Sequence, residues 1–370
     1  MKTRAAIMVE HNQPVVVEEI DLDPPREGEV LMRMEAVGVC HSDLSVITGT
    51  IFYDQPTVIG HEGAGTIMEL GPGVKGLETG QRVMLSFIHP CGSCYHCTRG
   101  RPNICDLHWR GAPRGMLQDG TTRFHRNGQP VLQMSRTGAM SEYIVVSEKA
   151  VIPFRGEPPP PEQIALIGCS VMTGVGAVTN TARVEVGSSV AVIGVGGVGI
   201  NVIQGARLAG AGKIIAVDLN SDRLNWAKDF GATHTVNGSE GDAVEQVMAL
   251  TDMNGVDYSF EAIGNAQAMA DGFSMLRNGG ALVVIGISSP KSMLTIPAQL
   301  FPFGERRILG CMYGSSRMSI DMPALLDLYR DGRLKLDELV SRTWKLDQIN
   351  EAFDDLKSGR GLRGVVRFES

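Results

Sequence analysis

"SVAVIGVGGVGINVI", residues 189–203, followed ten residues later by "KIIAVD", residues 213–218, is the stretch on which the fold turns. A short apolar run bounded by glycine reads as a buried strand, and "VGINVIQGARLAG" repeats its apolar residues at helical spacing. Between the two, glycines fall as G-x-G-x-x-G at Gly194, Gly196 and Gly199. In a chain with 45 glycines that pattern alone carries little weight. Its setting carries more: a strand before, a helix after, and a second strand ending in Asp218, about 20 residues downstream. Gly194 suits a tight turn, Gly196 a close approach by a pyrophosphate, and Gly199 close packing of helix on strand. Gly197 and Val198 complete the turn at the helix N-terminus, where an anion would sit. Asp218 can accept hydrogen bonds from ribose hydroxyls and would repel a 2′-phosphate, favouring NAD over NADP. The alternative is a plain glycine-rich connection.

The same texture continues downstream. "VDYSFEAIG" and "ALVVIGI" read as strands, with the helical pattern "AQAMADGFSMLRNGG" between them. Strands alternating with helices mean βαβ units and a doubly wound parallel sheet. The first third differs: "VVVEEI", "EVLMRMEAVGV", "GAGTIMEL" and "QRVMLSF" are short strands between Gly and Pro, as in a small barrel. Residues 106–138 are polar and glycine-rich and read as a long surface excursion. The tail carries two amphipathic helices, in "ALLDLYRDGRL" and "DQINEAFDDLKSG", and ends on the strand "GVVRF".

A length of 370 residues suggests two domains. The formal net charge of −7 speaks against nucleic acid or an anionic membrane as partner. No apolar run is expected to reach bilayer-spanning length, and the N-terminus lacks a secretory pattern, so the cytoplasm is the expected compartment. There thiols stay reduced, and clustered cysteines bind metal.

Four of the seven cysteines, Cys91, Cys94, Cys97 and Cys105, lie in "HPCGSCYHCTRGRPNIC", residues 89–105. The spacing is C-x2-C-x2-C-x7-C. A ferredoxin-type iron–sulfur run would place its fourth cysteine after three residues and follow it with proline. Tetrahedral zinc accepts the spacing seen here, and four thiolates close its coordination shell, so such a site is structural. His89 and His96 are spare candidate ligands. A second group is scattered: Cys40 in "VGVCHSD", His61 and Glu62 in "VIGHEGAG", and Cys169 in "ALIGCSVMTG". Two thiolates and one imidazole would make an open zinc site with a free fourth position. Spacing alone does not bring them together.

These motifs, with "GVGGVG", Asp218 and the closing "LRGVVRF", together resemble the zinc-containing medium-chain alcohol dehydrogenases, in order over essentially the whole chain. The resemblance implies a GroES-like catalytic domain, a partly open β-barrel of residues 1–170 and 313–370, with its zinc lobe near 89–106. It implies a Rossmann domain of residues 171–312 inserted between. It implies a catalytic zinc on Cys40, His61 and Cys169, a structural zinc on the four clustered cysteines, and NAD. Glu62 would stand near the metal, Asp43 would orient the zinc-bound imidazole, and Ser42 would take the alcohol proton. Thr173, Arg223, Ile285, Ile287 and Arg363 match cofactor contacts, Arg363 at the pyrophosphate; His41 stands where that group often meets an arginine. Ile51, Phe52, Phe87 and Trp109 match the substrate pocket. The position that ends the family's proton relay with histidine is Ser45 here.

The activity implied is reversible hydride transfer between a primary alcohol, medium-chain or aromatic, and NAD. The alternatives are a dehydrogenase of the glutathione adduct of formaldehyde, against which Thr50 and Phe52 replace acidic pocket residues, and a zinc-free quinone or enone reductase. A homodimer is implied, with a tetramer as the alternative.

Overall fold

The computed structural model describes residues 1–369; Ser370, the last residue of the expected catalytic domain, lies outside them. The chain forms two compact units. One comprises Met1–Cys169, Arg317–Asp331 and the segment from Leu336 onward; the other comprises Ser170–Ser316 with Gly332–Lys335.

The second unit is built on a six-stranded parallel sheet of Ser189–Ile193, Lys213–Asp218, His234–Asn237, Val256–Glu261, Leu276–Val284 and Arg307–Gly310. Across the sheet the strands run third, second, first, fourth, fifth and sixth in chain order, so the order reverses between Ser189–Ile193 and Val256–Glu261. The crevice at such a reversal is where open α/β sheets bind ligands. The central strands are buried on both faces, which is why they read as continuous apolar runs. Gly194 has φ +89°, and a Cβ on Gly199 would lie 1.8 Å from the Gly194 carbonyl oxygen, so no larger residue fits there. Gly332–Lys335 is tied in by Gln204, whose Nε2 donates to the Lys335 carbonyl (3.1 Å) and whose Oε1 accepts from its N–H (2.8 Å).

The first unit holds a closed barrel of Lys2–Met8, Val16–Leu22, Phe124–Arg126, Gln129–Gln133 and Thr57–Val58. A seven-stranded sheet lies in the same unit. Its order is Val151–Pro153, Arg82–Leu85, Gly63–Leu70, Glu29–Gly38, Arg363–Arg367 and Val340–Trp344, with Tyr143–Ser147 also paired to Glu29–Gly38.

Two expectations are corrected here. Residues 106–138 are not a surface excursion throughout, because they supply two barrel strands with Phe124 and Val131 fully buried. The hairpin closes at Asn127 and Gly128, both with positive φ, an Asn-Gly turn whose twist matches its strands. Arg123 at its base is buried, donating through Nε and Nη2 to Glu29. Secondly, helical turns run from Pro161 to Ala182, 22 residues of hydropathy 1.4, so one helix is long and apolar enough to cross a membrane. Its most apolar window is 83% buried inside the protein, as in a core helix. Gly168, Gly174 and Gly176 interrupt the apolar pattern without interrupting the helix. Each meets a neighbouring carbonyl oxygen, on Leu85, Val198 and Gly314 respectively, so closely that a Cβ would lie within 2.6 Å of it.

Candidate zinc and nucleotide sites

In the first unit, strand register brings scattered residues together. Val37 pairs with Gly63, so Cys40, just beyond one strand, meets His61 and Glu62, just before the other. Cys40 caps the short helix His41–Ile47. Cys169 lies where its helix widens to π turns at Ile167–Val171, a distortion frequent at functional sites. The ligating atoms of Cys40, His61, Glu62 and Cys169 all lie within 4.8 Å of one another.

Asp43, fully buried, orients two of them. Its Oδ1 accepts from His61 Nδ1 (2.9 Å) and its Oδ2 from the Cys40 backbone N–H (3.0 Å). His61 Nε2 is thereby left as the lone-pair nitrogen turned to the cluster, 3.9 Å from Glu62 Oε1. Glu62 Oε2 accepts from Arg363 Nη2 at 2.6 Å, while Oε1 is buried without a hydrogen-bond partner. Hydrogen bonding from Cys169 holds the Cys40 thiol well below its ordinary pKa, with the Arg363 charge assisting against burial. Burial pushes Glu62 up to about 7, opposed by the Arg363 charge. Two sulfurs, an imidazole nitrogen and a carboxylate with one unpartnered oxygen form a donor set that suits zinc.

The clustered cysteines also converge, with their four sulfurs within 4.8 Å of one another. A zinc tetrahedron with bonds of about 2.3 Å has edges of about 3.8 Å. Cys94 and Cys105 sulfurs stand 4.0 Å apart. Backbone N–H groups of Cys91, Cys94 and Cys97 donate to the sulfurs of Cys105, Cys91 and Cys94 at 3.3, 3.3 and 3.5 Å. Such donors stabilise thiolate charge, and the set fits a closed zinc site. His89 and His96 stand outside the four-cysteine set.

In the second unit, Asp218 Oδ2 accepts the Val195 N–H (2.8 Å) and Oδ1 the Asn220 N–H (3.0 Å). The acid is thereby fixed to the glycine turn. Space is open over Gly196, where a Cβ would meet nothing within 4 Å, so a pyrophosphate can approach the backbone. Arg223 Nη1 lies 3.9 Å from Asp218. The sequence reading missed Glu261. This fully buried residue ends its strand, and its Oε1 accepts from the N–H groups of Ile263, Gly264 and Asn265 at 2.9, 2.6 and 3.2 Å. The available signal was an acid ending an apolar parallel strand, the same position that Asp218 holds.

The remaining candidates are placed as follows. Ser42 is half-buried in the first turn after Cys40. Phe87 sets its ring edge-on to His61 at 5.5 Å. Ile51 is half-buried; Phe52 and Trp109 are exposed, with rings against His11 and His108. Thr173 is buried, and the Ile285 N–H is taken by the Glu261 carbonyl at 2.9 Å, while Ile287 is exposed. His41 is exposed. Arg363, expected at a pyrophosphate, is 4% exposed and donates to Glu62 and to the Val39 carbonyl.

A two-sulfur, one-imidazole site, a tetrathiolate lobe and a dinucleotide crevice define a zinc-binding dehydrogenase, and comparison with known proteins agrees. Residues 26–156 match the alcohol dehydrogenase GroES-like domain family, and residues 197–331 match the zinc-binding dehydrogenase family. An S-(hydroxymethyl)glutathione dehydrogenase of Paracoccus denitrificans is 38% identical over 381 residues, covering 100% of both chains. An NDMA-dependent alcohol dehydrogenase of Amycolatopsis methanolica is 38% identical over 371 residues, covering 99% of each. The crystal structure of benzyl alcohol dehydrogenase from Acinetobacter calcoaceticus superposes with TM-score 0.94 at 29% identity, covering 100% of both chains. The chain belongs to the zinc-containing medium-chain alcohol dehydrogenases, in their class III-like group. Zinc and NAD are its cofactors, which sets aside the zinc-free reductase reading.

A prediction follows for the ribose acid. Asp218→Asn keeps an acceptor for the turn but removes the charge, so the preference for NAD over NADP is expected to fall at least about tenfold, the worth of one charge-assisted hydrogen bond. Steady-state kinetics with both cofactors check it. An unchanged ratio would place discrimination elsewhere.

Proposed function

We propose that the chain oxidises a hydroxymethyl group, R–CH2OH, to the aldehyde level with NAD, reversibly, at the Cys40–His61–Cys169 site. The observation that carries this is the donor set itself: three ligands of zinc type with His61 oriented by Asp43, beside a buried carboxylate. When bound, zinc supplies a Lewis acid, which lowers the pKa of bound water from about 16 to about 7, and NAD supplies the hydride acceptor. The protein's part is orientation and proton handling. Asp43 fixes His61 and the Cys40 backbone; Ser42 takes the substrate proton, and Ser45, in place of a histidine, leaves its exit to water. The zinc lobe braces the unit. Thr173, Ile285, Ile287, Arg223 and the glycine turn hold the dinucleotide, and His41 assists at the pyrophosphate. By the same resemblance the working unit is a cytoplasmic homodimer.

For the substrate, the names of the relatives favour the hydroxymethyl adduct of glutathione, since the Paracoccus enzyme so named matches end to end. A second reading, a medium-chain or aromatic primary alcohol, is favoured by Thr50 and Phe52 at positions that resemblance makes acidic in the adduct enzymes, and by the Phe87 ring against His61. NADH formation with formaldehyde, with and without glutathione, beside octanol and benzyl alcohol, separates them. The adduct reading expects turnover of formaldehyde only when glutathione is present. Efficient oxidation of the free alcohols with no glutathione effect would overturn it in favour of the second. Silence toward all of them would overturn both.

A further inference from the structure

The crevice of the second unit is framed by the ends of three adjacent strands. Lys213–Asp218 and Val256–Glu261 flank Ser189–Ile193, and each flanking strand ends in an acid. Two strand spacings, about 10 Å, separate those ends. Asp218 grips the glycine turn from one side, through the Val195 N–H. Glu261 stands on the other side and grips a turn of its own.

One oxygen shapes that turn. The N–H groups of Ile263, Gly264 and Asn265 converge on Glu261 Oε1. Successive N–H groups turned to one point form a concavity suited to an anion, and here the chain's own carboxylate fills it. Glu261 is fully buried, and its Oε2 has no hydrogen-bond partner among the described residues. Gly264 is left-handed, φ +88°, and a Cβ there would lie 2.4 Å from the Ile287 carbonyl oxygen. Asn265 caps the helix Ala266–Ser274, its Oδ1 accepting from the Gln267 and Ala268 N–H groups at 2.8 and 3.1 Å. The turn is thus fastened at both ends, and Ile263 is what it presents outward. The Ile263 side chain lies against Gly194, where a Cβ would come within 2.4 Å of its Cγ1, and the residue is 56% exposed. With Asp218 on the adenosine ribose, the flat base attached to that ribose falls beside this apolar surface.

We propose that Glu261 is a positioning residue for the adenosine end of NAD: its carboxylate oxygen, by gathering three N–H groups, sets the turn that holds Ile263 against Gly194. The proposal rests on NAD lying over the glycine turn. Glu261 touches neither cofactor nor substrate in this role. Its backbone carbonyl also accepts from the Ile285 and Gly286 N–H groups, at 2.9 and 3.1 Å, and side-chain substitution leaves that tie in place.

The test titrates the full-length, zinc-loaded protein with NADH, followed by fluorescence, and with AMP, followed by calorimetry. Glu261→Ala removes the shared acceptor and is expected to raise both dissociation constants at least about tenfold, because three N–H groups lose their partner. Glu261→Gln keeps an acceptor oxygen at the same reach and should stay within about threefold of the parent for both ligands. Unchanged affinities in Glu261→Ala would overturn the proposal. So would a Glu261→Gln variant as weak as Glu261→Ala, which would make charge rather than the acceptor decisive. A loss confined to NADH, with AMP bound as in the parent, would overturn the assignment to the adenosine end. If Glu261→Ala does not accumulate, Glu261→Asp, whose oxygen falls one methylene short of the turn, supplies the weakened arm. The parent is titrated first: failure to bind NADH would overturn the NAD reading itself, whereas NADH affinity indifferent to Glu261 would overturn only this inference.

Discussion

Cys40→Ser is expected to lower kcat/KM at least about 10³-fold, since Lewis-acid stabilisation is worth several kcal/mol and each 1.4 kcal/mol is tenfold in rate. The hydroxyl is a far weaker acid than the thiol, which here stands well below its ordinary pKa. The substitution removes one ligand and leaves the Asp43 contact to the Cys40 backbone N–H in place. The fold and NADH binding should therefore survive, and metal analysis should fall from two zincs per chain to one. Steady-state kinetics, elemental analysis and an NADH fluorescence titration check the three parts. A variant that keeps a tenth of the parent activity with one zinc would show that these residues do not hold the reacting metal.

Cys94→Ser should behave in the opposite way. Structural zinc binding is worth on the order of 10 kcal/mol of folding free energy in small zinc modules. Cys94 both contributes a sulfur to the lobe and accepts the Cys97 N–H. The variant is expected to lose the lobe's zinc and to melt at least about 10 °C lower, at roughly 2–4 °C per kcal/mol for a unit of this size. Calorimetry beside metal analysis checks it. An unchanged Tm with lost activity would reverse the roles assigned to the two metal sites.

The parts legible in the sequence were those whose physics is local. The glycine turn needs tight backbone geometry within six residues, Gly194 to Gly199, and the acid that serves it ends the next strand. The cysteine lobe folds on itself within residues 91–105, so spacing alone named its ligands. Cys40, His61 and Cys169 were nameable as candidate ligands from residue type, but only resemblance brought them together, because their convergence depends on the Val37–Gly63 register and on the approach of Gly168 to Leu85. The Phe124–Gln133 hairpin was misread because barrel closure buries residues flanked by Arg, His and Gln, and the Asn127-Gly128 turn was passed over. The proline run before Pro161 marked the opening of a helix, but its 22-residue length was hidden by glycines that serve packing. The burial of Arg136 gave no signal, since a lone arginine in a polar loop reads the same whether exposed or enclosed.

The strand Arg363–Arg367 lies inside the seven-stranded sheet, between Glu29–Gly38 and Val340–Trp344. Its first residue is the arginine that pairs with Glu62. A ribosome therefore delivers nearly the whole nucleotide-binding unit as one contiguous piece, while the zinc-bearing unit, begun first, still has a gap in its sheet. During synthesis the Ala36–Gly38 end of that strand stays without its partner on one side until Arg363–Arg367 emerges. That interval is when a nascent chain is most open to mispairing with a neighbour or to capture by a chaperone. Loss of Arg363–Arg367 would leave the parallel sheet of the nucleotide-binding unit intact while removing both an inner strand of the zinc-bearing unit and the partner of Glu62.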